Sequence, residues 1–422
     1  MPSPIPEPLV NLLQRPVAVL GAGVSGQGVL ALLATINARG VVYDERADNA
    51  RRSFNATTGR EHGLVVYSPG FAPEHAWLVA AREAGCTCLG ELDFASLFWR
   101  GDVIAVTGTN GKTSLTEFLA HALTTAGRRA QATGNVGYSF SRLVVEQTGK
   151  VDVAVCEVSS FQAETLCHLR PTATLWTNFA EDHLERHAGL GAYFAAKRRL
   201  LERTPEGGRL VGSSVARLAS VNGWELPAVA SVQTENQPDD PALAGSLFAT
   251  YPQRENFLLA SAWWRLAGLP ADALYAAAQT FQAGNHRLCR VGEKNGVTFW
   301  NDSKATNFHA VEAALATFAG PVLWIGGGKS KGGDLAAFIR RIATKVRHAF
   351  LIGETQSALL GHCGQAGVPA TACASLADAV KGAFAMAAQP DHVLLSPGFA
   401  SFDMFRGYDD RGRQFEALVG NL

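Results

Sequence analysis

A chain of 422 residues with 37 basic and 37 acidic side chains carries no formal net charge, which leaves no general attraction for nucleic acid or anionic membrane. Its composition, 47% hydrophobic and 18% charged, is that of a globular protein, and the length exceeds one ordinary core, so two or three domains are expected. Seven scattered cysteines, with no second pair to match Cys86 and Cys88, argue against a disulfide framework or a zinc site, and the chain reads as cytoplasmic: no apolar run approaches the ~20 residues that span a bilayer, and the stretch up to Gly23 shows no basic segment followed by an apolar one.

Three apolar runs each lead into a glycine-rich loop: "VAVLGAGVSGQG" from Val17, "VIAVTGTNGKTS" from Val103 and "VLWIGGGKSKGGD" from Val322. A fourth, "HVLLSP", leads into "GFASFD". Short continuous runs of Val, Ile and Leu suit strands buried on both faces of a parallel sheet. Helical segments such as "SLTEFLAHALTTAG" intervene, which makes the chain α/β throughout, in several successive units. The expected divisions are 1–97, 98–282 and 283–422. "EKNGVTFW" reads as a hairpin with its Asn-Gly turn at 295–296.

In the first loop, Gly21, Gly23 and Gly26 fit G-x-G-x-x-G between strand and helix, and Asp44 closes the next strand. Alone this reads as a dinucleotide site, the mark of an NAD-dependent oxidoreductase. The second loop, Gly108-Thr109-Asn110-Gly111-Lys112-Thr113, supplies what a phosphate cradle needs: glycines for close backbone approach, amides at a helix N-terminus, a lysine for the phosphates and a hydroxyl for Mg²⁺. Val106 stands where the usual pattern has its first glycine, so the loop has its own shape. Glu157 ends the strand "VDVAVCE", at the edge of a parallel sheet where ligands bind. Asn178, Asp182 and His183 follow "TATLWT". Taken singly, Asp182 reads as a helix cap, His183 as its surface neighbour and Lys197 as a solvated helix lysine. "NDSKATN" concentrates Asp302, Ser303, Lys304 and Thr306 after another strand, and Arg287 lies upstream, suited to a transferring phosphate.

The motifs "VTGTNGKTS", "GNVG", "CEVSSFQAE", "TNFAEDHLERH", "AKRRL", "HRL", "NDSKATN", "GGGKSKGGD" and "LLSPGFASFDMF", in this order, resemble those of the Mur ligases, the ATP-dependent amino-acid ligases of peptidoglycan synthesis. "NDSKATN" and the 396–405 segment most resemble the members that add D-glutamate to UDP-N-acetylmuramoyl-L-alanine. The resemblance implies a Rossmann-like first domain, a P-loop-type ATPase domain with a mostly parallel sheet, and a Rossmann-like third domain that closes over ATP. Gly23, Val24, Ser25, Asp44 and Arg46 match positions that hold the uridine nucleotide. Lys112 and Thr113 would serve the phosphates and Mg²⁺, with Asn135, Glu157 and His183 lining the metal and substrate site. Lys197 matches a lysine that relatives carry as a carbamate, an anion able to help hold Mg²⁺. Arg287, Asp302 and Lys304 would meet ATP. Thr306, Lys331, Ser401, Phe402 and Tyr408 match positions that grip the incoming glutamate.

The implied chemistry is an acyl phosphate made at the expense of ATP, then attack by the amine, with His183 a proton acceptor or a metal ligand. The implied partners are small molecules, with neither nucleic acid nor membrane, acting on a monomer. Two departures stand out. "YPQREN" puts Pro252 and Gln253 where relatives carry His-Asn near the adenine, leaving Asn256. "SPGFAS" puts Gly398 and Phe399 where "SPACAS" is usual. A nucleotide-binding relative without catalysis, or a ligase for L-glutamate or another acidic residue, is the alternative these departures raise.

Overall fold

The computed structural model describes residues 5–389 and 391–422; the opening Met1–Pro4, part of the 1–97 division, lie outside the described residues. Three sheets follow one another along the chain. The first holds Val17–Leu20 (β1), Gly40–Tyr43 (β2), Leu64–Tyr67 (β3) and Thr87–Gly90 (β4), all parallel, in the order β2-β1-β3-β4. The second holds Asp102–Thr107 (β5), Ala130–Gly134 (β6), Val153–Glu157 (β7), Ala173–Trp176 (β8), Arg209–Gly212 (β9) and Ala230–Val232 (β10), in the order β10-β9-β8-β5-β7-β6, again all parallel. The third holds Cys289–Lys294 (β11), Val297–Asn301 (β12), Val322–Gly327 (β13), Val346–Ile352 (β14), Ala370–Ala372 (β15) and Asp391–Leu395 (β16), in the order β11-β12-β16-β13-β14-β15. Only β11 runs antiparallel there, joined to β12 through Asn295 and Gly296, whose φ of 48° and 73° are those of a tight hairpin turn.

The apolar runs behave as their composition dictates. β1, β3, β7, β8 and β13 are buried at every residue, because helices cover both faces of a parallel sheet. The chain folds into two compact units. One runs to Phe179 and continues through Gly191–Ser246 and Glu255–Phe281; the other holds Ala180–Leu190, Leu247–Arg254 and Gln282–Leu422.

The first two sheets share a unit because they share a core. Val19, Leu64, Phe94 and Phe98 from the first region pack in one cluster with Ala105, Phe140 and Leu143 from the second. The short helix Glu91–Ser96 adds polar ties. Buried Glu91 accepts from Ser141 N (2.6 Å), and buried Asp93 accepts from the backbone nitrogens of Cys167, His168 and Leu169 at 2.7–2.9 Å. Three amides around one carboxylate satisfy a charge that burial alone would make very costly. Among the described residues, no helix is long and apolar enough to cross a membrane.

Candidate active site

In the second sheet, β5 lies between β8 and β7, so the chain leaves the centre of the sheet on both sides, and the crevice at that switch falls beyond the strands' C-terminal ends. The 108–111 loop sits there. Gly108 has φ 148° and Gly111 φ 78°; a Cβ would lie 1.9 Å from Thr177 Oγ1 at the first and 2.7 Å from Asn256 Oδ1 at the second. Only glycine fits either place. Gly111 is the N-cap of the helix Lys112–Thr125. The end of β8 clamps the loop: Thr109 N donates to Asn178 O (3.1 Å), Asn110 N to Asn178 Oδ1 (2.9 Å), and Thr177 Oγ1 to Asn110 O (2.7 Å). Lys112 folds back so that Nζ donates to Thr109 O (2.8 Å), and Thr113 is buried at the helix start. Asn256 therefore stands behind Gly111, as close as the loop allows.

Two further residues of the expected set meet this crevice. Lys197, 1% exposed, donates from Nζ to Gly108 O (2.7 Å) and lies 4.8 Å from the Tyr193 ring centroid. Glu157 ends β7 and is buried. Its Oε1 accepts from Asn135 Nδ2 (2.8 Å), while Asn135 N donates to the Glu157 carbonyl (3.0 Å). Its Oε2 is buried with no hydrogen-bond partner among the described residues. An orphaned carboxylate oxygen at the edge of a phosphate cradle fits a divalent cation. No group of three His, Cys, Asp or Glu gathers among the described residues. A single carboxylate oxygen such as Glu157 Oε2 fits Mg²⁺, which takes one or two carboxylates and fills its shell with phosphate and water.

The first loop is tight in its own way. A Cβ on Gly26 would lie 1.9 Å from Gly21 O. Gly23 caps the helix Val24–Thr35, and Gly23, Val24 and Arg46 are exposed at the edge, with Ser25 half-buried. Asp44 serves the loop itself: Oδ2 accepts from Ala22 N (2.8 Å), and Oδ1 from Arg46 N (2.9 Å) and Ala47 N (3.1 Å). These backbone bonds, with Ala22 and Arg46 foremost, hold its carboxyl below the usual range. Ser68, at the end of β3, escapes sequence reasoning. Its Oγ is buried without a partner among the described residues and faces Gly21; the "YSPG" that follows a buried strand is the available signal.

The unit of the third sheet carries its own constellation. Asp302 follows β12 and is buried; Oδ1 accepts from Leu288 N (3.1 Å) and Oδ2 from Ser396 Oγ (2.8 Å). Burial outweighs those bonds and the nearby Arg287 and Arg411, and lifts its carboxyl to about 7. Lys304 Nζ donates to Tyr408 Oη (2.7 Å) and sits 4.0 Å from that ring's centroid. Arg411, fully buried, donates to Ser303 Oγ (2.9 Å), Ser303 O (2.8 Å) and Phe399 O (3.2 Å), tying the "NDSKATN" loop to the "SPGFAS" loop. Burial lowers its guanidinium to about 10. Arg411 gives no sequence signal, because it lies in a polar helical stretch with no motif around it.

A narrow cleft of about 20 Å³ opens between Asp182, His183, Thr306, Asn307, Lys331 and Phe399. Lys331 Nζ lies 3.3 Å from Thr306 Oγ1 and 3.5 Å from Asp182 Oδ1. Asp182 is a hub, since Oδ2 also accepts from Asn307 Nδ2 (2.9 Å) and Oδ1 from His183 N (2.9 Å). His183, at φ 55°, belongs by packing to this unit, and its Nδ1 lies 3.2 Å from Glu185 Oε1. Thr306, Lys331 and His183 are thus brought together. Ser401 is buried, Phe402 is 71% exposed and Tyr408 holds Lys304; none of the three lines the cleft. Phe399 forms a wall, its ring 5.4 Å from Phe308, which stacks on Phe338 at 4.3 Å.

Parallel α/β sheets, one with a phosphate cradle at its switch point, define a multidomain nucleotide-binding protein. Residues 106–224 match the model of the Mur ligase middle domain, and 286–399 that of the Mur ligase glutamate ligase domain. The UDP-N-acetylmuramoylalanine–D-glutamate ligase of Gloeobacter violaceus is 37% identical over 96% of this chain and 99% of its own length. Ligases of the same name from Jannaschia sp. and Thermoanaerobacter pseudethanolicus are 34% and 30% identical, each over 98% of this chain and all of their own length. The UDP-N-acetylmuramate-alanine ligase of Thermotoga maritima shares the fold at a TM-score of 0.62 and 15% identity, over 96% of this chain and 99% of that one. The chain belongs to the Mur ligase family.

Proposed function

We propose that the protein is an ATP-dependent ligase that joins D-glutamate to UDP-N-acetylmuramoyl-L-alanine in peptidoglycan precursor synthesis, acting as a cytoplasmic monomer divided at 97/98 and 282/283. The observation that carries this reading is near-full-length identity of 30–37% to relatives bearing that ligase name. All seven cysteines are free thiols, as a reducing compartment requires.

In this reading the substrate's terminal carboxylate attacks the γ-phosphorus in line. The bond to the β-phosphate oxygen breaks, ADP leaves and an acyl phosphate remains. The amine of glutamate then attacks the acyl carbon and inorganic phosphate departs. Lys112 and the amides of 111–113 hold the phosphates and neutralise the charge that develops on them, with Arg287 and Lys304 assigned the same task. Glu157, Thr113 and a carbamylated Lys197 would hold Mg²⁺, which when bound supplies further neutralisation of the phosphate oxygens. Asn256 and Asp302 are assigned to the nucleotide, and Gly23, Val24, Ser25 and Arg46 to the uridine moiety around the loop that Asp44 braces.

Lys331 and Thr306 would meet the side-chain carboxylate of glutamate, with Ser401, Phe402 and Tyr408 beside it and Asn135 towards the nucleotide substrate. His183 is assigned either as the acceptor of the ammonium proton or as a metal ligand. Phosphate release from ATP tests the reading, with UDP-N-acetylmuramoyl-L-alanine, Mg²⁺ and D- or L-glutamate in parallel. Release that requires D-glutamate is expected. Release with L-glutamate alone would overturn the acceptor, and silence with both would overturn the activity.

A further inference from the structure

The second sheet has another concavity, at its opposite edge. β5 delivers the phosphate loop from its C-terminal end, whereas Arg170–Thr172 lead into the N-terminal end of the parallel neighbour β8. Strands of 4–6 residues separate the two edges, or roughly 13–20 Å at about 3.3 Å per residue. The cleft at that far edge measures about 590 Å³, and Arg170, Thr172, Arg199, Glu202, Arg203 and Thr204 stand in its lining.

Three guanidiniums converge on one turn. Arg199 Nη2 donates to Leu166 O (3.1 Å), Arg203 Nη1 to Cys167 O (2.6 Å) and Arg170 Nη1 to the same Cys167 O (3.2 Å). Asp93 fixes the turn from below, and its carboxylate is taken up by the three amides of 167–169. The cleft's own acid, Glu202, pairs with Arg198 at 3.0 Å. Arg199 Nε is buried and donates to nothing among the described residues. Burial first, then the charge of Arg170 and, more weakly, of Arg199, draw Arg203 below the ordinary guanidinium range against the opposing charge of Asp93.

A helix C-terminus favours cations, which accounts for Arg199 and Arg203 at the end of the helix Leu190–Glu202. It does not account for Arg170, which reaches the same carbonyl from a different segment. Like charges held together by backbone anchors, with the hydrogen bonds of Asp93 taken up by amides and Glu202 paired with Arg198, form a receptor for an anion that accepts several hydrogen bonds at once.

We propose that this cleft is a second anion site, separate from the phosphate loop, for a small ligand bearing two or more linked phosphates. Calorimetry with inorganic pyrophosphate on the full chain tests it in the Lys112→Ala background, which weakens the phosphate loop. A saturable site is expected to remain there and to weaken at least tenfold on Arg170→Gln or Arg203→Gln, with circular dichroism unchanged. Arg170 is exposed, so its variant tests the site even where the Arg203 variant fails to fold. ADP and orthophosphate in the same titration separate a nucleotide ligand from free pyrophosphate and from a monophosphate. No saturable pyrophosphate binding in the Lys112→Ala chain, binding indifferent to Arg170→Gln, or capture of poly-glutamate without pyrophosphate would each overturn the proposal.

Discussion

The phosphate loop and the Lys331 cleft are built in opposite ways. The loop is made of consecutive backbone. Its amides are aimed by two glycine conformations and held by two residues at the end of β8. The cleft is made of side chains from four separated segments, at 181–184, 306–308, 331–333 and 398–399. Those segments meet only because Phe308, Phe338 and Phe399 pack beneath them and Arg411 ties two of the loops. A backbone cradle is preformed by local geometry and tolerates changes elsewhere. A cleft of side chains inherits every disturbance of the core that supports it.

The largest effect expected from that contrast is in stability. Phe399→Ala removes a buried ring from the cleft's wall and should cost about 3–5 kcal/mol, measured by denaturant unfolding. It should raise the KM for glutamate and leave nucleotide affinity unchanged; a parallel loss of ATP binding would break the comparison. Lys112→Ala should do the reverse, lowering turnover about 10²–10³-fold while unfolding shifts by no more than about 1 kcal/mol. Steady-state kinetics beside melting curves check both halves.

Lys331→Ala comes next, with the KM for the acidic amino acid raised about 10–100-fold, or about 1.4–2.7 kcal/mol. Nucleotide KM should hold, and a change confined to turnover would remove Lys331 from recognition. Asp302→Asn should have an effect visible only against pH. The folded carboxyl titrates at about 7 against an ordinary 3.8. Between those values the folded chain keeps a proton that the unfolded chain has lost. The group's contribution to stability is therefore full below about pH 3.8 and drains away as pH rises to about 7. The variant should gain on the native chain by about 1–3 kcal/mol between pH 5 and 8, read from melts at both. Glu255, also raised to about 7 by burial, keeps a slope in the variant, so the gap changes without the curve becoming flat.

What was legible followed the same division. The Gly108–Thr113 loop, the parallel sheets and the Asn295–Gly296 turn are each written in neighbouring residues, and the structure has them. Glu157 was legible as a carboxylate at a strand end, but its bare Oε2 is a property of what surrounds it. Asp44 carries the spacing of a ligand-binding acid, yet its oxygens are spent on Ala22, Arg46 and Ala47. Asp182 reads as a cap in sequence and joins Lys331, Asn307 and His183 in space. Ser401 and Phe402 adjoin the right loop without lining the cleft.

By itself the sequence determined the local devices: buried parallel strands, glycine turns and a lysine at a helix start. These depend on steric and hydrogen-bonding rules that act within a few residues. Tertiary structure alone decided which charges meet: Arg411 between two loops, Asp182 among three partners, and Arg170 beside Arg199 and Arg203. Those meetings depend on how sheets and helices close over a common core, and no residue's neighbours in the chain record that closure.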